Sequence, residues 1–158
     1  GEVDKCLEIY RSTFERAGFA IHEASYYHDL AKLAGESNRI YIAEKEGREL
    51  SFLWNLRTSD VEFELYGGVN DEGQRLRSNY ALKWQAIIDA KEAGVEKYDM
   101  NGLLNDGISS FKSGFSDKEV NLVGAWDFPL SPLYHIWETV LPMAKKTVQT
   151  INKLRKRR

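Results

Sequence analysis

The stretch FELYGGVNDEGQRLRSNYALKW, from Phe63 to Trp84, gathers the groups with which this chain could hold a ligand. A strand-like segment ends on Gly67-Gly68, a polar loop with Arg75 and Arg77 follows, and an aromatic-rich helical pattern opens at Ser78 or Asn79. Glycines at a strand end open the backbone, and amides exposed there or at a helix N-terminus are the groups that hold phosphate or another oxyanion. A plain turn is the other reading of the same residues. Other chemistries find little support. His22, His28 and His135 are far apart and in different elements, and there is no cysteine pair, HExxH or carboxylate-rich calcium loop, so no metal site is expected. GxSxG and P-loop motifs are absent too. Cys6 falls beside the apolar stripe of the first helix, where burial keeps a thiol protonated and inert.

The elements that would position these residues follow from periodicity. Val3, Leu7, Tyr10 and Phe14 lie on one helix face, and Gly18 suits its C-terminal stop. A second helix reads from about Glu23 to Ala34. The period then changes to two. Arg39–Glu44, Leu50–Arg57 and the alternating Val61, Phe63 and Leu65, joined by Glu46-Gly47 and Thr58-Ser59-Asp60, read as an antiparallel three-strand meander. Glu62, Glu64 and Tyr66 occupy the other face of the third strand. Tyr80, Trp84, Ile87 and Lys91 share a helical stripe ended by Gly94, which predicts a core Trp84. Val95–Met100 and Val120–Phe128 read as strands, and Ser109–Phe115 as a helical turn. Ser131-Pro132 opens a last helix that Pro142 should kink or split. The order predicts a mixed α/β, or α+β, domain.

A chain of 158 residues with 42% apolar and 29% charged content is an ordinary globule able to bury a core in one domain, residues 1–158. One cysteine allows no internal disulfide, which suits a reducing compartment. No apolar run reaches the ~18–20 residues of a membrane span, and no signal peptide is visible. The net charge of -2 conceals an asymmetry: all 24 acidic residues lie at or before Glu138, whereas seven of the 22 basic residues follow it, a body of -9 and a tail of +7. Residues 145–158 form a basic helix or tail suited to phosphate of lipid or nucleic acid, or simply to solvent.

A meander whose third strand feeds a glycine-containing loop and a helix has the order of the GNAT acyltransferase fold. The acetyl-CoA loop of that fold, R/Q-x-x-G-x-G/A, is not matched here, because neither Gln74 nor Arg75 is followed by glycine at the needed spacing. The segments LYGGVN, SNYALKWQAI, YDMNG and SFKSGF, with TFERAGFAIHEASYY before them and FPLSPLYHIWE after, together resemble the Fem-type (FemABX) peptidoglycan aminoacyltransferases. The resemblance covers nearly the whole chain but only about the second half of such a protein. It implies a GNAT-like fold with a mostly antiparallel sheet, and a further GNAT-like domain preceding Gly1.

The resemblance implies transfer of an amino acid from aminoacyl-tRNA to the stem peptide of a UDP- or lipid-linked muropeptide, with the charged tRNA as co-substrate and no bound cofactor. It places Lys112 of SFKSGF near the donor ester as the catalytic cation. Tyr66, before the double glycine, would face the acceptor peptide; Arg16, His22 and Tyr26 would lie where acceptor phosphates bind; Asn101 and Gly102 would line the ligand side of a strand end. Family members often carry arginine where His22 stands, and imidazole is a poorer anion ligand than guanidinium. The implied location is cytoplasmic, at the inner face of the membrane if the basic tail meets anionic lipid. A non-catalytic GNAT-like binding module and an acetyl-CoA-dependent N-acetyltransferase are the competing readings.

Overall fold

The computed structural model describes residues 1–17, 21–103, 107–116 and 118–155, with the side chains of 14–17, 107–109, 149 and 151–155 left aside. Its first compact unit, Gly1–Asp117, is a sheet between helices. Helices α1 (Glu2–Ala17) and α2 (Ala24–Ala34) precede strands β1 (Asn38–Lys45), β2 (Arg48–Arg57) and β3 (Val61–Val69). Then come helices α3 (Asp71–Leu76) and α4 (Ser78–Glu92), strand β4 (Lys97–Asp99) and helix α5 (Gly107–Ser113). The sheet order is β1-β2-β3-β4; the first two pairings are antiparallel and β3–β4 is parallel, reached through α3 and α4. The expected mixed fold with a mostly antiparallel sheet is what the chain adopts.

β2 is buried on both faces, from Leu50 to Asn55, because each face carries its own layer. On one face Phe52 and Trp54 join Cys6, Leu7 and Ile9 of α1 and Tyr27 of α2. On the other, Leu53 meets Leu82 and Ala86 of α4. Burial raises the thiol of Cys6 to about 12.

The chain departs from its sequence pattern at several points. The stretch after Gly68 is not an open loop, because Asn70 caps a helix, its Oδ1 accepting from the Gly73 amide at 2.8 Å. Trp84 is 59% exposed, and the buried stripe of α4 is instead Leu82, Lys83, Ala86 and Ala90. Small residues let α4 lie close on the sheet, and the wide indole is left on the outer side. Val120–Phe128 forms no strand; Val120, Leu122, Val123 and Trp126 are all exposed, so the apolar alternation has no sheet to join.

The second unit, Lys118–Arg158, contains one helix, α6 (Leu133–Arg155). The Leu133 amide donates to Ser131 Oγ at 3.3 Å, the cap expected there. Of the kink or split expected at Pro142, the split does not occur: α6 runs through the proline as one helix. The proline removes one backbone hydrogen bond of a 23-residue helix and leaves the others to carry it. No helix among the described residues is long and apolar enough to cross a membrane.

Burial makes the first unit sensitive to alkali. The phenols of Tyr10 and Tyr41 are pushed up from 10.0 to about 12, in each case mainly by desolvation. Below pH 10 both folded and unfolded chains keep these protons, and stability is indifferent to pH. Between 10 and 12 the unfolded chain has lost protons that the folded chain retains, so rising pH favours unfolding. The urea midpoint, followed by circular dichroism, should therefore be flat from pH 7 to 9 and fall between pH 10 and 12, and Tyr41→Phe should reduce that fall.

Candidate functional site

β3 and β4 part early. Their parallel ladder has three pairs, Val61–Lys97, Glu62–Tyr98 and Phe63–Asp99. Asn101 then adopts a left-handed conformation (φ 64), which asparagine tolerates better than most residues, and turns the chain aside. Its side chain replaces the ladder for one more step, Nδ2 donating to the Glu64 carbonyl at 3.1 Å. Beyond Phe63 no strand among the described residues pairs with this edge of β3, so an unpaired strand edge runs toward Gly67-Gly68.

A bulge decides what stands on either side of that edge. Trp54 pairs with Tyr66 and Asn55 with Glu64, so Leu65 is an extra residue on β3. The alternation expected from the sequence put Glu62, Glu64 and Tyr66 on one face. The bulge instead sends the two glutamates to the α4 face and Tyr66 to the face of α1 and α2.

On the α4 face, Lys83 Nζ donates to both carboxylate oxygens of Glu64, at 2.6 and 2.8 Å, with both side chains buried. The ammonium also lies over the rings of Phe111 and Phe115, 5.0 and 5.7 Å from their centroids. Tyr80 meets Phe111 edge-on at 4.6 Å. Desolvation lowers the pKa of Lys83, the Glu64 carboxylate opposes that shift, and the Lys112 ammonium adds to it. Lys112, next to Phe111, donates to the Gly102 carbonyl at 3.1 Å. The polar cluster continues inward: Asn55 Nδ2 donates to the Tyr98 hydroxyl at 3.0 Å and to Glu62 at 2.7 Å, and the fully buried Glu62 is paired with Arg57. Burial and the Glu64 charge push the Tyr98 phenol far above its ordinary value.

On the opposite face the hydroxyls of Tyr66 and Tyr26 are 3.3 Å apart, and the His22 ring lies 4.2 Å from that of Tyr26. Tyr66 also touches the rings of Tyr10, Tyr27 and Trp54. Desolvation, then the hydrogen bond with Tyr26, raises the Tyr66 phenol well above its ordinary range, so it stays a neutral donor and acceptor.

The sequence-derived candidates thus fall into two sets. Lys112, Asn101 and Gly102 come together where β4 leaves the sheet; His22, Tyr26 and Tyr66 come together across it. Among the described residues no hydrogen bond, ion pair or ring contact joins the sets, and what they share is β3. Arg16 lies in the last turn of α1, with its side chain outside the described residues. Glu64 and Lys83 were not anticipated. A signal for them existed: Lys83, Ala86 and Ala90 recur at steps of three and four, which puts a lysine on a stripe of small residues.

The N-terminus of α3, the first helix after β3, is occupied from within. Asn70 takes the Gly73 amide, and Asp71 and Glu72 fill the first turn with negative charge.

The family model for the FemAB family matches residues 50–141. The UDP-N-acetylmuramoylpentapeptide-lysine N(6)-alanyltransferase of Weissella viridescens is 27% identical over 137 residues, which are 83% of this chain and 40% of that protein. The lipid II:glycine glycyltransferase of Staphylococcus epidermidis is 25% identical over 134 residues, 78% of this chain and 32% of that protein. The aminoacyltransferase FemA of Staphylococcus epidermidis is 27% identical over 88 residues, 50% of this chain and 21% of that protein. The chain therefore spans well under half the length of these relatives. Among solved structures, the ribosomal-protein-alanine N-acetyltransferase of Brucella melitensis superposes with a TM-score of 0.62 at 11% identity, over 80% of this chain and 94% of that one. An aminoglycoside 6'-N-acetyltransferase of Acinetobacter haemolyticus gives 0.60 at 15% identity, over 82% and 94%. At these identities the likeness is one of fold, the GNAT acyltransferase fold.

The two glycines at the end of β3 are not equivalent. A Cβ on Gly68 would stand 2.6 Å from the buried Phe52 ring, whereas one on Gly67 would meet nothing nearer than 3.5 Å. Gly68→Ala should destabilise the chain by about 1–3 kcal/mol, the usual cost of overpacking. Gly67→Ala should stay within about 1 kcal/mol of the parent, since alanine suits a strand at least as well as glycine. Chemical denaturation of the two variants measures both.

Proposed function

This chain belongs to the FemAB family, whose model matches more than half of it, and from that membership we propose that it is the part of an aminoacyltransferase that carries the acyl-transfer groups. The proposed donor is an aminoacyl-tRNA, and the proposed acceptor is the stem-peptide amine of a UDP- or lipid-linked muropeptide. This serves formation of the interpeptide bridge of peptidoglycan. The amine nitrogen attacks the ester carbonyl, an amide bond forms, the ester bond breaks, and the tRNA hydroxyl leaves with the proton that the amine gives up.

The observation that carries this reading is the placement of Lys112. Its ammonium is anchored on the Gly102 carbonyl beside the unpaired edge of β3. An ammonium has three hydrogens, and one is engaged by Gly102. The others can meet the oxygen on which negative charge develops, a kind of contact that typically lowers such a barrier by several kcal/mol. Tyr66 and Tyr26, on the other face of β3, offer hydroxyls and ring faces to a peptide. The stretch between β3 and α4 lacks the R/Q-x-x-G-x-G/A spacing of an acetyl-CoA loop, which favours a charged tRNA over acetyl-CoA as donor.

The second unit supports a contact with an anionic membrane surface. Leu133, Ile136, Trp137, Val140, Met143 and Val148 of α6 are exposed on one helical face, while Lys145 and Lys146 stand on the other side. An amphipathic helix of this kind lies in a lipid interface, and each cation near anionic head groups adds about 1 kcal/mol. Such a contact suits a lipid-linked acceptor.

Lys112→Ala should lower the rate of label transfer from charged tRNA to muropeptide by about tenfold to a thousandfold, with the acceptor KM little changed. An unaltered rate removes Lys112 from the mechanism, and tight acetyl-CoA binding by calorimetry would replace the proposed donor. In the same protein, Trp137→Ser with Val140→Ser should reduce co-sedimentation with anionic vesicles; equal sedimentation with neutral and anionic vesicles, or no effect of the variant, defeats the membrane contact.

A further inference from the structure

The buried pair beneath α5 has no assigned role. We propose that Lys83 is a positioning residue for Lys112: its ammonium, held by both oxygens of Glu64, seats the Phe111 ring of α5 and the Phe115 ring just beyond it, and so fixes where Lys112 presents its own charge. The proposal rests on the reading of Lys112 as the cation of acyl transfer.

α5 is seven residues long, far below the length at which a helix holds itself together in water. Its described anchors are few. Phe111 and Phe115 rest on Tyr80 and on the Lys83 ammonium, and Lys112 itself reaches Gly102. An apolar residue at position 83 would bury the rings equally well but would not select their faces. A cation does, because it is drawn to the electron-rich face of a ring. With the rings facing Lys83, the next residue along α5 is directed to the Gly102 carbonyl. Glu64 makes this arrangement tenable. It supplies the counter-charge that a lysine only 3% exposed requires, and it offsets the repulsion that the Lys112 ammonium exerts on Lys83. Glu64 is tied in turn to the parting of the strands, because its backbone carbonyl accepts from Asn101. One glutamate thus links the strand edge, the α5 seat and the turn that carries Gly102.

The test uses the natural protein that contains this chain. Glu64→Gln combined with Lys83→Met removes both charges at similar volume and leaves no lone buried ion. Amide exchange of residues 110–115 should become about tenfold faster, the factor equivalent to ~1.4 kcal/mol and within the range of a desolvated cation–π contact. Transfer from charged tRNA should lose about tenfold in kcat, with the acceptor KM within about twofold. Adding Phe111→Leu to the double variant should cost little more, because the contact it breaks is already gone, whereas Phe111→Leu alone should reproduce both losses. Wild-type exchange and kcat in the double variant overturn the proposal. So do losses from Phe111→Leu and the double variant that simply add, and faster exchange spread over the whole chain. If the double variant does not fold, Phe111→Leu alone decides: unchanged exchange at 110–115 overturns the proposal, and a local tenfold rise supports it. A parent protein that transfers nothing from charged tRNA defeats the functional reading, while the exchange experiment still answers for the seat.

Discussion

The region around the parting strands depends on one buried ion pair. Withdrawing a carboxylate and an ammonium from water costs several kcal/mol per ion, and the Glu64–Lys83 pair meets that cost only because every side of it is furnished. Both oxygens of Glu64 accept from the same ammonium, and two aromatic rings stand over it. The surroundings answer to this constraint. α4 must lie close enough for Lys83 to reach β3, which the small Ala86 and Ala90 permit. β4 must leave the sheet early enough for α5 to come over Lys83, which the left-handed turn at Asn101 accomplishes. An apolar pair would have filled the same space at less cost, so the charge is retained for what it orients.

β3 serves two environments at once. Toward α4 it contributes carboxylates that anchor cations, and toward α1 and α2 it contributes a tyrosine within a cluster of rings. The division suits the proposed transfer, in which an activated carbonyl and a peptide amine must arrive separately. The cation stands with the turn that ends β4, the hydroxyls stand with the helices before the sheet, and the open edge of β3 lies between them.

Much of the frame was legible in the sequence. The meander from Asn38 to Val69 is announced by its period of two and by its turn residues, and helices α1, α2 and α6 by their apolar stripes. The resemblance in SFKSGF and YDMNG directed attention to Lys112, Asn101 and Gly102, which prove to be neighbours. What escaped has physical reasons. Lys83 and Glu64 look like surface residues one at a time, because the pairing that pays for their burial joins positions 19 apart in the chain. Trp84 looks like core by the stripe it shares with Tyr80 and Ile87, yet the close approach of α4 is made by its alanines. α3 is six residues long and polar, with no room for a period to show, and only the cap at Asn70 marks it. Val120–Phe128 has the composition of a strand, but a strand also needs a neighbour.

The bulge at Leu65 has a bearing on how this protein tolerates change. Parity along a strand is a matter of counting, and one surplus residue is all that separates the acidic face from the tyrosine face. Exchanging the side chain at 65 leaves the count intact, and deleting that position would join Glu64 to Tyr66 in plain alternation, with carboxylate and phenol still on opposite faces. The segment is thus permissive about chemistry and about the loss of that one residue; the change it could not absorb is a flattening of the bulge at full length, which would carry Tyr66 to the side of Glu64.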